Sequence, residues 1–201
     1  MNLMQTSANN LTKHELDFIS DKEYPLIKKS AMQKISTLFE EMGEQMKADE
    51  TLNAFFTKRT FKVSRGDNYL HLPYVVLDYP KISRAHFELH CRTMFWWGNY
   101  FSMNVFIKTS KIDITSFYKN LSENTAAGQN VMVLTAENIW NQDLNAGEFI
   151  NSNNIDKKVL DVLAGNPYQK ISAIHDIKRS AELSEAAGMF YKKVLGCMKK
   201  I

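Results

Sequence analysis

The residues best equipped for chemistry stand at alternate positions of one short stretch: His86, Glu88, His90 and Arg92. Two imidazoles, a carboxylate and a guanidinium are the groups that bind divalent metals, exchange protons near neutral pH, or grip anions. On a strand, alternate side chains leave one face at steps of roughly 6.5–7 Å. His86 and His90 would then stand about 13 Å apart, too far to share an ion held ~2.1 Å from each. A metal site therefore needs a neighbouring pair, His86–Glu88 or Glu88–His90, completed from an adjacent strand by His71 or Asp78. The catalytic candidates are His90 and Glu88, and the metal candidates are His86, Glu88 and His71. The plainer reading is a solvated or covered polar face in which Glu88 bridges Arg92 or a histidine.

The same stretch runs into Phe95-Trp96-Trp97-Gly98-Asn99-Tyr100-Phe101. Aromatics on one face belong to a core. Trp96 and Tyr100 fall on the other and need a helix, a ligand or a partner subunit to cover them. A small-molecule pocket between sheet and helices would use Arg92 and His90 as polar groups, with Tyr74 and Trp96 to stack.

These residues need strands to place them, and the apolar pattern supplies strands. Phe87, Leu89, Cys91, Thr93 and Phe95 alternate on one arm, and Phe101, Met103, Val105 and Ile107 on the other. A three-residue turn, Trp97-Gly98-Asn99, pairs Phe95 with Phe101, Thr93 with Met103 and Cys91 with Val105. That register keeps one face dry, with Asn99 expected in the left-handed position. Upstream, a two-residue turn at Gly66-Asp67 would set Val63 opposite Leu70 and Phe61 opposite Leu72. Pro73 then implies an edge or a bulge.

Helices are expected on both sides of this meander. Leu11-Thr12-Lys13-His14-Glu15 carries a capping box. A second start near residue 24, with Pro25 in its first turn, opens a long helix. Its apolar stripe reads Tyr24, Ile27, Ala31, Ile35, Leu38, Met42 and Met46. Later come a short helix over 113–124, a strand over 130–134 and an irregular Asn/Gly-rich stretch over 136–154. A helix over 155–164, a strand over 168–178 and a final helix over 180–199 follow. That last helix is acidic early and basic late, as its dipole favours.

The 201 residues carry 44% hydrophobic and 11% aromatic side chains, enough for one sizeable core. A net charge of +3 is too small to point to nucleic acid, and no platform of interleaved arginines and aromatics is present. Cys91 and Cys197 have no ligand-like spacing and read as buried thiols. No phosphate-binding loop, zinc-protease, nucleophile-elbow or EF-hand signature occurs. Neither a signal peptide nor an apolar run of membrane-spanning length is visible, so the expected location is the cytoplasm, away from any membrane.

The sequence thus predicts one α+β domain over 1–201, with a flexible N-terminus at 1–10. An antiparallel β-meander (two hairpins plus one or two later strands) is packed by a long N-terminal helix and a C-terminal helix. The expected function is a soluble binding or interaction protein that uses a sheet–helix pocket or the aromatic hairpin, with self-association as a homo-oligomer. The rival is a metal-assisted, hydrolase-like enzyme on the His86/Glu88/His90 face. No cofactor is identified.

Overall fold

The computed structural model describes residues 10–81, 87–125 and 130–198. The capping box forms: Thr12 Oγ1 accepts from Glu15 N at 3.2 Å, and the Glu15 carboxylate accepts from Thr12 N at 2.6 Å. It opens helix α1 (Lys13–Ser20). Asp21 Oδ1 accepts from Glu23 N at 2.7 Å and starts α2 (Glu23–Ala48) with Pro25 in its first turn. A short helix α3 (Glu50–Asn53) precedes four consecutive strands, β1 (Lys62–Tyr69), β2 (Leu72–Tyr79), β3 (Leu89–Trp96) and β4 (Tyr100–Lys108). Then come α4 (Ile114–Asn124), β5 (Val131–Leu134), β6 (Phe149–Asn151), α5 (Lys157–Gly165), β7 (Tyr168–His175) and α6 (Leu183–Gly196).

The strands form one antiparallel sheet in the order β1-β2-β3-β4-β7-β5-β6. The α+β meander expected from the sequence is present. It is extended by β7, which enters beside β4 and carries β5 and β6 on its far side.

The second hairpin has the expected register, Phe95 opposite Phe101, Thr93 opposite Met103 and Cys91 opposite Val105. Its left-handed residue, however, is Gly98 at φ 73°, where the absence of a Cβ removes the steric penalty. The first hairpin differs from expectation. Its turn is Leu70-His71, both at positive φ, and Val63 faces Leu77. Gly66 and Asp67 lie inside β1. Gly66 admits the Tyr74 ring, which a Cβ would meet at 2.5 Å. The shift also changes parity. Val63, Val75 and Leu77 share one face, while Leu72, Tyr74 and Val76 take the other.

The two faces are covered differently. Helices lie on one, where Phe39, Leu77, Phe101, Val105, Phe117, Ile171 and Tyr191 share an apolar core. The buried stripe of α2 is Met32, Ser36, Phe39, Met42, Gly43 and Met46, turned slightly from the predicted one. Gly43 sits at the closest approach, since a Cβ there would come within 2.5 Å of the Phe61 ring. Among the described residues no helix covers the other face. Phe87 and the irregular stretch 135–148 roof it, burying Val76, Met94, Trp96, Tyr100, Phe106, Ile139 and Leu144. Among the described residues no helix is long and apolar enough to cross a membrane.

Candidate functional site

The roofed face holds the buried polar side chains that matter for chemistry. Strand pairing sets them in two rows. One runs Asp78, Arg92, Asn104, Ser172 across β2, β3, β4 and β7, and the next runs His90, Phe106, Lys170 across β3, β4 and β7. Alternation puts all seven on the face away from the helices.

Asp78 organises one end. Its Oδ1 accepts from Arg92 Nε at 2.7 Å and bonds His90 Nε2 at 2.9 Å, and its Oδ2 accepts from an Arg92 terminal N–H at 3.1 Å. Burial alone would raise this carboxyl's pKa. The bonds from His90 and Arg92 outweigh it and hold Asp78 below its ordinary range. His90 is shifted down because burial disfavours the imidazolium more than Asp78 favours it. A neutral ring donating from Nε2 leaves Nδ1 as an acceptor, while the Pro80 carbonyl beside the ring favours its charged form. The buried Nδ1 has no well-formed hydrogen bond among the described residues. Asn104 is satisfied: it accepts from Ser172 Oγ at 2.8 Å and donates to Ser102 Oγ and the Arg92 carbonyl.

Lys170 sits at the other end, 1% exposed. Its Nζ donates to the Asn141 carbonyl of the roof and lies 5.4 and 5.3 Å from the centres of the Phe106 and Phe149 rings. Burial, with the Arg92 charge nearby, pushes its ammonium well below the usual lysine range. Among the described residues no carboxylate lies within ion-pair distance of it. The segments outside them contain no Asp or Glu.

The roof is a loop built on its own asparagines and aspartates. Asn138, Asn141 and Asp143 each accept from the backbone N–H two residues on, which is why this Asn-rich stretch forms neither helix nor strand. Its anchors are on the sheet. Tyr100 OH donates to the Gln142 carbonyl at 3.1 Å and accepts from Leu144 N at 2.8 Å; Tyr69 OH accepts from Gln142 N at 2.7 Å. Burial raises the Tyr100 hydroxyl to about 12, so it remains protonated as this anchor. The Trp140 ring lies over Arg92, 5.0 Å from the guanidinium carbon.

The residues singled out in the sequence are thus partly gathered and partly scattered. His90, Arg92 and Asp78 meet. Trp96 faces Tyr74 across β3 and β2, and its Nε1 donates to the Tyr69 carbonyl. Trp96 and Tyr100 are each 6% exposed, so the roof, and not a helix, supplies the cover these two aromatics need. The pocket residues lie opposite the helices, not beneath them. Glu88 is exposed and pairs with Lys111 at 2.9 Å. His71 is exposed in the β1–β2 turn, at the far end of the strands from Glu88, roughly 35 Å away along β2. His86 lies outside the described residues. Among those residues no three His, Cys, Asp or Glu side chains come together as a metal site.

Sequence reasoning missed Lys170, Asn104, Ser172 and Trp140. The alternation Tyr168, Lys170, Ser172 was visible as the polar side of a strand. Which neighbours that side would face was not, because β7 pairs with β4 from sixty residues away. No family model, curated protein or solved structure compared with the chain matches it.

Proposed function

We propose that this protein binds a small organic acid on the roofed face of its sheet. The acid group lies on Lys170, and an apolar or aromatic body lies among Phe106, Phe149 and Trp140. The observation that carries this reading is the buried Lys170 side chain, which meets no carboxylate among the described residues. Burying an ammonium beside a second cation is unfavourable, and a neutral carbonyl with two ring faces compensates it only in part. A ligand carboxylate replacing the Asn141 carbonyl would make a charge-assisted bond and restore the lysine's charged form. The roof has to lift for entry, and a loop without regular elements is the part of the fold able to do so.

Calorimetric titration with benzoate and hexanoate, and with inorganic phosphate as a comparison anion, tests the reading on the wild type and on Lys170→Met. One or both carboxylates should bind the wild type and not the variant. Ligand-free Lys170→Met should melt higher than the wild type, because an apolar chain of similar length replaces a buried, unpaired cation. Equal binding by both proteins, or no carboxylate binding to the wild type, removes the proposal. A purely structural lysine would show itself as a variant with a lower Tm and no binding in either protein.

A further inference from the structure

Helix α1 is an amphipathic helix whose apolar side chains are left largely uncovered by the described residues. None of its residues is buried. Leu16, Phe18 and Ile19 are 47%, 49% and 63% exposed, and Leu11 just before it is 53% exposed. The start of α2 continues the same character, with Leu26 at 67% and Ile27 at 57%. The two helices meet through Phe18 and Tyr24, whose ring centres are 4.5 Å apart. An eight-residue helix is not stable alone in water, since nucleation outweighs so few hydrogen bonds. Its capping box sets where it starts, and the order of the rest has to come from burying its apolar side chains.

Charge indicates what buries them. Residues 13–23 hold Glu15, Asp17, Asp21 and Glu23 against Lys13 and Lys22, while residues 24–36 hold Lys28, Lys29 and Lys34 and no acid. Glu15 is engaged by Thr12, and Lys28 reaches Asp67 at 3.5 Å. Asp17, Glu23, Lys29 and Lys34 take part in no ion pair among the described residues. The acidic half cannot sit against an anionic bilayer or a polyanion without repulsion, and the basic half opposes a cationic partner. A surface with one acidic and one basic half is its own complement under two-fold rotation.

We infer that this end of the molecule is a homodimer interface, in which α1 of one copy lies against the first turns of α2 of the other. The six exposed apolar residues present on the order of 600 Å² per copy, so a pair buries roughly 1,200 Å², the lower edge of a specific interface. The dimer is accordingly weak and concentration-dependent. It is independent of the roofed face, which lies on the sheet.

Sedimentation velocity from 5 to 200 μM tests it. The wild type should move toward twice the 23.2 kDa chain mass as concentration rises. Ile19→Glu with Leu26→Glu changes two side chains already more than 60% exposed, so the fold is unaffected. That variant should stay monomeric throughout, with faster amide exchange confined to residues 13–20. Lys29→Glu should weaken the dimer severalfold, and Glu23→Lys in the same chain should restore it, since the pairing is reciprocal. A wild type that stays monomeric at 200 μM, a double variant that still dimerises, or co-sedimentation of the monomer with phosphatidylserine vesicles would overturn the inference.

Discussion

The two faces of the sheet are built from the same strands and solve different problems. The helix face is filled by Phe39, Phe101, Val105 and Leu121, side chains that need only volume and shape. The roofed face carries buried Asp78, His90, Asn104, Ser172 and Lys170 beside a half-buried Arg92, and each must find a partner where water is largely excluded. Regular helices cover the first because an apolar surface asks for an apolar stripe. A loop covers the second because a loop can turn backbone carbonyls and N–H groups inward, as Asn141, Gln142 and Leu144 do. Packing secures one face; paired polar groups secure the other.

That contrast is open to attack from either side. Phe101 is wholly buried among Phe39, Phe95 and its strand neighbours, so Phe101→Ala should have the largest effect, about 3–5 kcal/mol of stability by urea denaturation. Asp78→Ala removes the carboxylate that Arg92 and His90 share and leaves a half-buried guanidinium unpaired, for a loss of roughly 3 kcal/mol. If the roofed face were as tolerant as ordinary surface, this variant would lie within about 0.5 kcal/mol of wild type.

Acid should distinguish the faces next. His90 titrates below its ordinary 6.5 when folded, so the unfolded chain binds more protons as pH falls through 6.5 and stability falls with it. Asp78 titrates below its ordinary 3.8, so its contribution is present above that value and is lost as pH drops further, through its folded pKa. The urea midpoint should therefore decline from pH 7 to 5, and His90→Gln should flatten that decline. An unchanged slope in the variant would assign it elsewhere. The smallest effect belongs to the roof. Tyr100→Phe deletes two hydrogen bonds to the 135–148 loop, for about 1 kcal/mol, and should speed amide exchange at Gln142 and Leu144 while leaving α2 and α6 unchanged.

The second hairpin shows what was legible. Its three-residue turn follows from requiring apolar residues to face apolar ones across both arms, and the two-residue turn did not meet that condition. The first hairpin offered fewer constraints. Gly66-Asp67 satisfied turn chemistry locally, but the Tyr74 ring needs Gly66 inside the strand, a contact no local rule contains. For the site, the stripe His90, Arg92 was placed correctly as one polar face, and Asp78 was foreseen as its neighbour. Glu88 and His71 were not separable from it, since alternation assigns a face and says nothing about which end of a neighbouring strand lies alongside.

The sequence by itself determined most of the elements and the faces of the second hairpin, but not the turn or the faces of the first. Capping residues, the change of apolar period near residue 60 and the Asn-rich interval after β5 are local, and local interactions act wherever the chain goes. Tertiary structure alone decided the rest. The entry of β7 beside β4 brings Lys170 into the row of His90, and the folding of residues 135–148 over that row turns a wet strand face into a buried one. Lysine on the open side of a sheet is ordinary. Under a roof, with no carboxylate in reach, the same side chain becomes the most demanding charge in the molecule, because its environment is set by residues far away in sequence.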